Sequence, residues 1–389
     1  LGDRNRMPLY PYLQSLYYHE GLSDDAFFLQ AKFVNVVLSA VELLLLGCIL
    51  RKHFSAATTA NLVVITAFTV FIFKAGYVQS EILFFFLNFC GFLLMVGMMR
   101  RPTWQLALAT GGLLGLSHLT KASVLPGLVL FAFWYLLKHI VSALRPRPRV
   151  APGRILGGSL VCLVVSLATY LAIIYPYIRD SKRVFGHYFY NVNSTFYMWY
   201  DSWDEVKQGT RAHGDRKRWP DMPEQDIPSP RKYFEQHTLS EMGRRVLKGL
   251  GDTAYYASHT YGYHKYVILY LAVAAGTTIG FWRQTRQRLG RNIWLVLFLV
   301  SYFLSYAILY AWYAPISGYG DRFVLGQFLP LMFVLARQVK TLRRRALAIR
   351  MGPVRLDAVD LFNVIVASVL VPDIFVILTQ RIYTVYGGS

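Results

Sequence analysis

The chain has 389 residues, of which 55% are hydrophobic and only 16% charged, and its formal net charge is +20. A soluble domain carries about 25% charged residues, so too few charges are available to coat a soluble particle of this length. The same composition excludes disordered chains and small disulfide-stabilised chains. The fold class that remains is an all-α polytopic membrane protein, in which one helical bundle carries an inserted polar loop.

Apolar stretches recur along the chain, and about 20 mostly apolar residues are needed to cross the hydrocarbon of a bilayer. Ten stretches meet or approach this length and predict transmembrane helices: Ala31–Leu50, Thr58–Phe73, Ile82–Met99, Thr103–Leu119, Val124–Leu144, Ile155–Tyr177, Tyr266–Phe281, Ile293–Tyr310, Phe323–Ala336 and Leu361–Leu378. The three cysteines lie inside these stretches, which is typical of small buried apolar residues and not of a disulfide framework or a metal site.

The distribution of basic residues predicts the orientation of these helices. If the first residues lie outside the cytoplasm, five short connections face inward, and all five are rich in Lys or Arg: Arg51–His53, Arg100–Arg101, Arg145–Arg154, Arg283–Arg291 and Arg337–Arg355. Cytoplasmic connections carry such an excess, and anionic headgroups favour it. Membrane lipids are therefore the expected partners of the +20 charge. A nucleic acid is not, because the basic clusters are scattered over separate connections.

This orientation divides the chain into four parts. Residues 1–30 form a first extracytoplasmic loop with a short amphipathic helix, and residues 31–178 form six transmembrane helices. Residues 179–265 form an extracytoplasmic loop domain, and residues 266–389 form four further helices. Because residues 1–30 lie outside and no apolar segment precedes them, we expect one more transmembrane helix upstream.

The long polar loop is unusually rich in aromatic residues, among them Tyr197, Trp199 and Trp203. Two interpretations are open, and both can hold. The rings can form an interfacial belt on a helix that lies on the membrane. They can also form a platform on which sugar rings or an isoprenoid chain stack. Further along, the apolar spacing predicts a helix over Tyr233–Gly251 that Gly251 ends.

Four motifs together resemble the GT-C class of membrane glycosyltransferases, near its protein mannosyltransferase and aminoarabinose transferase branch. They are Arg4–Pro11, similar to an R/K-x-P-L stretch of the first outer loop; Gln79–Phe84, similar to an acidic residue that opens a helix from the outer face; Gly112–Lys121, similar to a G-L-L-L-G-L-x-x-L-T-K turn; and Gly320–Phe323 with Pro330, similar to a late R-[YF]-x-x-x-x-x-P segment. The resemblance depends on the order of the four motifs along the chain and on their predicted location at one face of the membrane.

The resemblance implies an inverting transfer of a sugar from a polyprenyl-phosphate carrier to a hydroxyl acceptor on the extracytoplasmic face, here of a bacterial inner membrane. A carboxylate takes the proton of the acceptor in such a transfer. Cationic groups or a metal ion stabilise the departing lipid phosphate. A groove between helices holds the polyprenyl tail.

The catalytic carboxylates implied by the resemblance are Glu81 and Asp3. The general base of the class is an Asp just after the first transmembrane helix, which here precedes Leu1. Asp3 matches that position poorly, and a surface or capping role is its alternative. Glu81 is better placed as a second acid that orients the acceptor or a metal; its alternative is a charge favoured by the helix dipole.

The donor phosphate is assigned to Arg322, Arg6 and Lys121, because a guanidinium fork matches phosphate geometry and a lysine adds a point charge. Their alternatives are an Asp321 ion pair for Arg322 and an interfacial anchor for Lys121. The sequence leaves open whether a divalent metal ion is a cofactor, because it shows no spacing typical of metal ligands.

Two other functions are weighed against the transferase. A transporter or flippase of lipid-linked glycan needs several ionisable groups along a shared membrane path, and only Glu42 and, less deeply, Asp373 qualify. A non-catalytic scaffold subunit is favoured by the missing base. The sequence specifies neither the sugar nor the acceptor, which can be a protein, a lipid or a polymer.

Overall fold

The structure of the protein is a computed structural model that describes residues 6–144, 152–317, 324–344, 349–351 and 354–382. Within these ranges the fold is helical apart from one short hairpin. The helices are α1 Leu9–Ser15, α2 Asp24–Arg51, α3 Ala56–Thr66, α4 Ile72–Ala75, α5 Glu81–Arg100, α6 Trp104–Thr120, α7 Leu125–Leu144, α8 Pro152–Phe185, α9 Val192–Thr195, α10 Trp203–Gln208, α11 Pro230–Gln236, α12 Leu239–His259, α13 His264–Gly280, α14 Trp282–Arg291, α15 Ile293–Ser317, α16 Phe328–Val339 and α17 Ala358–Val376. Strands β1 Ile349–Met351 and β2 Val354–Leu356 pair antiparallel.

The described residues contain seven helical segments that are long and apolar enough to cross a membrane: Asp24–Arg51, Ala56–Ala75, Glu81–Arg100, Ala122–Leu144, Leu156–Phe185, Ile293–Ile316 and Ala358–Arg381. An eighth span results if α13 and α14, which meet at a 98° bend, are counted as one. The chain is therefore an integral multi-pass membrane protein, as its composition predicts.

The predicted count of ten spans is not confirmed. The stretch predicted over Thr103–Leu119 is α6, which has 17 residues. The stretch predicted over Phe323–Ala336 yields α16, which has 12 residues and is therefore about 18 Å long, against about 30 Å of hydrocarbon. Hydropathy identifies apolar residues but not the start of a helix, and here a 3₁₀ turn over Leu325–Gln327 comes first.

The helices pack as two compact units, and each combines separate parts of the sequence. The first consists of Leu1–Leu16, Leu87–Tyr256 and Asn292–Val324. In it α6 lies along α8, where a Cβ on Gly111 would stand 2.2 Å from the Ser166 carbonyl oxygen. Only glycine therefore permits this close approach of the two helices.

The polar loop of the first unit folds around a core of its own. The core residues are Phe185, Tyr190, Val192, Phe196, Tyr197, Val206, Ile227 and Ile316. The loop is thus a packed structure whose aromatic residues face one another as well as the surface.

The helix predicted over Tyr233–Gly251 is two helices. The first, α11, ends at Gln236, and α12 begins at Leu239 and continues eight residues beyond Gly251 to His259. The break is a reciprocal cap, in which the Thr238 hydroxyl accepts from the Glu241 amide and the Glu241 carboxylate accepts from the Thr238 amide. Gly251 therefore does not end the helix.

The second unit consists of Tyr17–Phe86, Ala257–Arg291 and Leu325–Ser389. Its helices α3 and α17 are joined by the buried Asn61 amide, which donates to the Asn363 carbonyl oxygen at 2.9 Å. Where α17 begins, Arg343 pairs with Asp357 and Asp360 at 2.5 and 3.2 Å. These pairs neutralise part of a connection that the sequence analysis places in the cytoplasm.

Candidate functional site

Glu81 is the first residue of α5 in the second unit, and only 6% of it is exposed. A carboxylate is rarely buried this deeply unless it has partners or a function. The turn before it is held by Asn35 of α2, whose amide donates to the carbonyl oxygens of Ala75 at 3.0 Å and Tyr77 at 2.8 Å. The turn that leads into Glu81 is therefore held by a contact from a second membrane helix.

A cation and an aromatic ring lie at this same end of the second unit. Lys74, in α4 just before the turn, is buried, and its Nζ lies 5.2 Å from the centre of the Tyr261 ring. Tyr261 stacks on Phe73 at 4.9 Å and has a positive φ of 45°. Such a φ is strained for a bulky residue, and strain of this kind is common at functional sites. We name Asn35, Lys74, Glu81 and Tyr261 the rim cluster.

An ion pair extends the polar end of the second unit towards α17. Lys265, at the start of α13, pairs with Asp373 of α17, and the Tyr266 hydroxyl donates to the same carboxylate. Asp373 was one of the two ionisable residues considered for transport. Its partners make it a structural link between two helices.

The predicted cations for the donor phosphate are distributed over the first unit and beyond the described residues. Lys121 caps α6, where its amide donates to the Ser117 carbonyl oxygen at 2.8 Å, and it is half-buried. Arg6 is exposed and precedes α1, which packs on α6. Arg322 and Asp3 lie outside the described residues. Arg6 and Lys121 thus share a unit, whereas Glu81 belongs to the other.

The three aromatic residues of the predicted platform differ in exposure. Tyr197 is 1% exposed, and its hydroxyl donates to Asp215 at 3.2 Å. Burial, followed by the Asp215 charge, raises the pKa of Tyr197 to about 12. Trp203 is half-buried with the Arg211 guanidinium 5.1 Å from its ring centre. Tyr197 therefore packs within the loop, and a ring face for a ligand has to come from its neighbours.

Trp199, the third of these residues, is half-buried among other rings. The centres of the Tyr233, Phe234 and Trp312 rings lie 6.0–6.1 Å from its own. Two of these neighbours, Tyr233 and Trp312, also belong to a polar network.

The network is centred on Arg245 of α12, whose side chain is buried. Its Nη1 donates to the Asp201 carboxylate and to the Tyr233 hydroxyl, each at 2.8 Å. Its other nitrogens donate to the carbonyl oxygens of Trp312 at 3.0 Å and Tyr200 at 2.8 Å. The guanidinium also lies 4.6 Å from the centre of the Trp312 ring. Every part of this cation thus has a partner.

His237 completes the network, because its Nε2 is 2.9 Å from the second oxygen of Asp201. Burial alone would lower the pKa of His237, but the Tyr233 carbonyl and the Asp201 carboxylate outweigh it and raise that pKa. For Asp201, burial would raise the pKa, but the bonds from Tyr233, His237 and Arg245 outweigh it and lower that pKa. The charged forms of both residues are therefore favoured.

Sequence reasoning missed this network because its members are 8 to 67 positions apart from Arg245 along the chain. No local signal distinguishes Arg245, because the basic residues Arg244 and Lys248 lie beside it in the sequence. Among the described residues, no three His, Cys, Asp or Glu side chains are grouped so as to hold a metal ion.

Comparison of the chain with family models, with curated proteins and with solved structures found no match.

Proposed function

We propose that this protein is a membrane glycosyltransferase, which moves a sugar from a polyprenyl-phosphate carrier to a hydroxyl acceptor on the extracytoplasmic side. The observation that carries the proposal is the burial of Glu81 at the start of a membrane helix, after a turn that Asn35 holds. The resemblance of four sequence motifs to the GT-C class supports it, as does a packed polar loop next to apolar helices.

The proposed reaction is an inverting displacement. The acceptor oxygen bonds to the anomeric carbon of the sugar while the bond from that carbon to the phosphate oxygen breaks. The electron pair of the broken bond leaves with the lipid phosphate, and the hydroxyl proton passes to a carboxylate. Glu81 orients or deprotonates the acceptor in this scheme, and Asp3 is the other candidate carboxylate.

The leaving phosphate is assigned to Arg322, with Arg6 and Lys121 contributing. Fixed cations stabilise a departing phosphate most effectively where water is scarce, as at the edge of an apolar bundle. Lys74 joins these candidates, since it is buried in the rim cluster, which contains Glu81. The sugar and the acceptor are not specified by this assignment, and a bacterial inner membrane remains the proposed location.

One observation favours the transporter or flippase as a second candidate. Glu42 lies in the middle of α2, is buried, and has no hydrogen-bond partner for either carboxylate oxygen among the described residues. Ionisable groups at such depth often belong to a transport path. It is one residue, however, whereas a path needs several.

The test is transfer from a radiolabelled polyprenyl-phosphate sugar by the full-length protein in lipid nanodiscs. We expect Glu81→Gln and Arg322→Ala each to lower kcat/KM by about 10²–10⁴-fold, the usual contribution of an acid–base or charge-stabilising group, with unchanged folding. The matched controls are Glu235→Gln and Arg231→Ala, which remove an exposed ion pair of α11. Wild-type turnover in both site variants would refute the assignment and favour the scaffold.

A further inference from the structure

Gln327 is a buried amide for which the described part of the chain offers no partner. It ends the 3₁₀ turn Leu325–Gln327 that leads into α16, and 7% of it is exposed. Neither its Nε2 nor its Oε1 has a hydrogen bond to any described atom. Burial of an unpaired amide destabilises the fold, and an apolar residue of the same size would avoid this cost. This cost points to a ligand.

The turn that carries Gln327 packs on the helix that Glu81 begins. A Cβ on Gly326 would stand 2.9 Å from the Phe84 ring, so the backbone of the turn lies directly against that ring. Phe84 is three residues after Glu81 on α5, and residues at this spacing share a helix face. Gln327 therefore directly follows a residue whose backbone lies against the Phe84 ring, one helical turn along α5 from the buried Glu81.

The chemistry of the amide restricts the ligand. Its NH₂ group donates and its carbonyl oxygen accepts, so full pairing needs an acceptor and a donor side by side. A phosphate at the pH of the membrane surface accepts only, and a prenyl chain does neither. Two neighbouring hydroxyl groups of a sugar offer both functions at the required separation.

We propose that Gln327 binds hydroxyl groups of the donor sugar and so contributes to sugar recognition beside Glu81. This inference rests on the proposed function, since it takes the sugar of a polyprenyl-phosphate carrier as the ligand. Gln327 is a specificity residue in this assignment. The groups that act on the reacting bond are the carboxylates and cations named above.

The test measures Kd of the full-length protein in nanodiscs for polyprenyl-phosphate mannose, polyprenyl-phosphate arabinose and unglycosylated polyprenyl phosphate. For the sugar lipid that the wild type prefers, we expect Gln327→Met to raise Kd by about tenfold to a hundredfold, while Kd for polyprenyl phosphate stays the same. Removal of single hydroxyls from that sugar should weaken binding to the wild type but no longer to the variant. A merely structural role of Gln327 would not change this discrimination.

The matched control is Gln338→Met on the same helix, where the amide donates to Thr278 at 3.0 Å. It should leave every Kd unchanged. If Gln327→Met does not fold, Gln327→Glu, which keeps the shape but loses the donor, is measured in its place.

An unchanged preference for the sugar lipid in the Gln327 variant would overturn this inference and leave the proposed function intact. A wild type that binds no sugar lipid more tightly than polyprenyl phosphate would overturn both.

Discussion

Arg245 and Asp201 form an ion pair in which the arginine is buried and the aspartate is partly exposed to solvent. The arginine side chain is 6% exposed and the aspartate 49%, with 2.8 Å between Nη1 and Oδ1. The arginine also binds backbone oxygens of two other segments, Tyr200 and Trp312, so it ties α12 to the loop core and to the end of α15. The stabilisation by Arg245 therefore comes more from its hydrogen bonds to these backbone carbonyls than from the partly solvated ion pair.

Substitution of Arg245 is the first test of this network. Arg245→Met removes the donor from two partly buried carbonyls, those of Trp312 and Tyr200, which lose their hydrogen bonds on the side that faces the protein. We expect a clearly lower Tm of the detergent-solubilised protein. The control is Arg244→Met, the neighbouring and exposed arginine, which should change Tm little. Equal melting of the two variants would mean that the network does not stabilise the loop.

The pair of His237 and Asp201 makes the stability of the loop depend on pH. The pKa of His237 is raised in the folded state. The stability that this residue contributes is therefore complete below its unfolded-state pKa of about 6.5 and is lost as the pH rises through its folded-state pKa. The pKa of Asp201 is lowered in the folded state. The stability that it contributes is therefore present above its unfolded-state pKa of about 3.9 and is lost as the pH falls through its folded-state pKa. The pair is therefore strongest between about pH 4 and 6.5.

The corresponding measurement is Tm between pH 5 and 9 for the wild type and for His237→Gln. The difference between the two should be largest at pH 5 to 6 and should shrink towards pH 9. In an Asp201→Asn background the same histidine substitution should lose most of this pH dependence. A difference that stays constant with pH in both backgrounds would contradict the ion pair.

Two glycines of α12 should respond to alanine with opposite signs. A Cβ on Gly249 would stand 1.9 Å from the Ala311 carbonyl oxygen, which is backbone and cannot rotate away, so Gly249→Ala should destabilise by about 1–3 kcal/mol. Gly243 has no atom within 4 Å of the same position, so Gly243→Ala should stabilise by about 0.5–1 kcal/mol. Chemical or thermal unfolding measures both. Stabilisation by Gly249→Ala would show that α12 and α15 are not in contact there.

The predicted orientation is tested by single cysteines in a background in which Cys48, Cys90 and Cys162 are replaced. Leu239→Cys, at an exposed position of the loop, should react with a membrane-impermeant maleimide in intact cells. Arg286→Cys in α14, also exposed, should react only after permeabilisation, because basic connections stay in the cytoplasm. The opposite pattern would reverse the topology and with it the extracytoplasmic site.

The amino-acid sequence by itself determined the class of this protein and the candidates for its chemistry. The shortage of charges requires a membrane, and the basic connections predict one orientation, because both follow from the cost of moving charge into hydrocarbon. The motif around Glu81 was likewise visible as an acidic residue before an apolar helix.

Only the tertiary structure decided which polar side chains are buried and with what. The packing of the loop turned Tyr197 inward and brought Asp201 and Tyr233 onto Arg245. Within the second unit, Gln327 is buried and has no hydrogen-bond partner among the described residues. The tertiary structure also placed the start of α16 at Phe328, inside the ninth predicted span, and its end at Val339, three residues beyond that span. Such contacts join residues far apart in the chain, and local pattern carries no information about them because burial depends on what packs opposite.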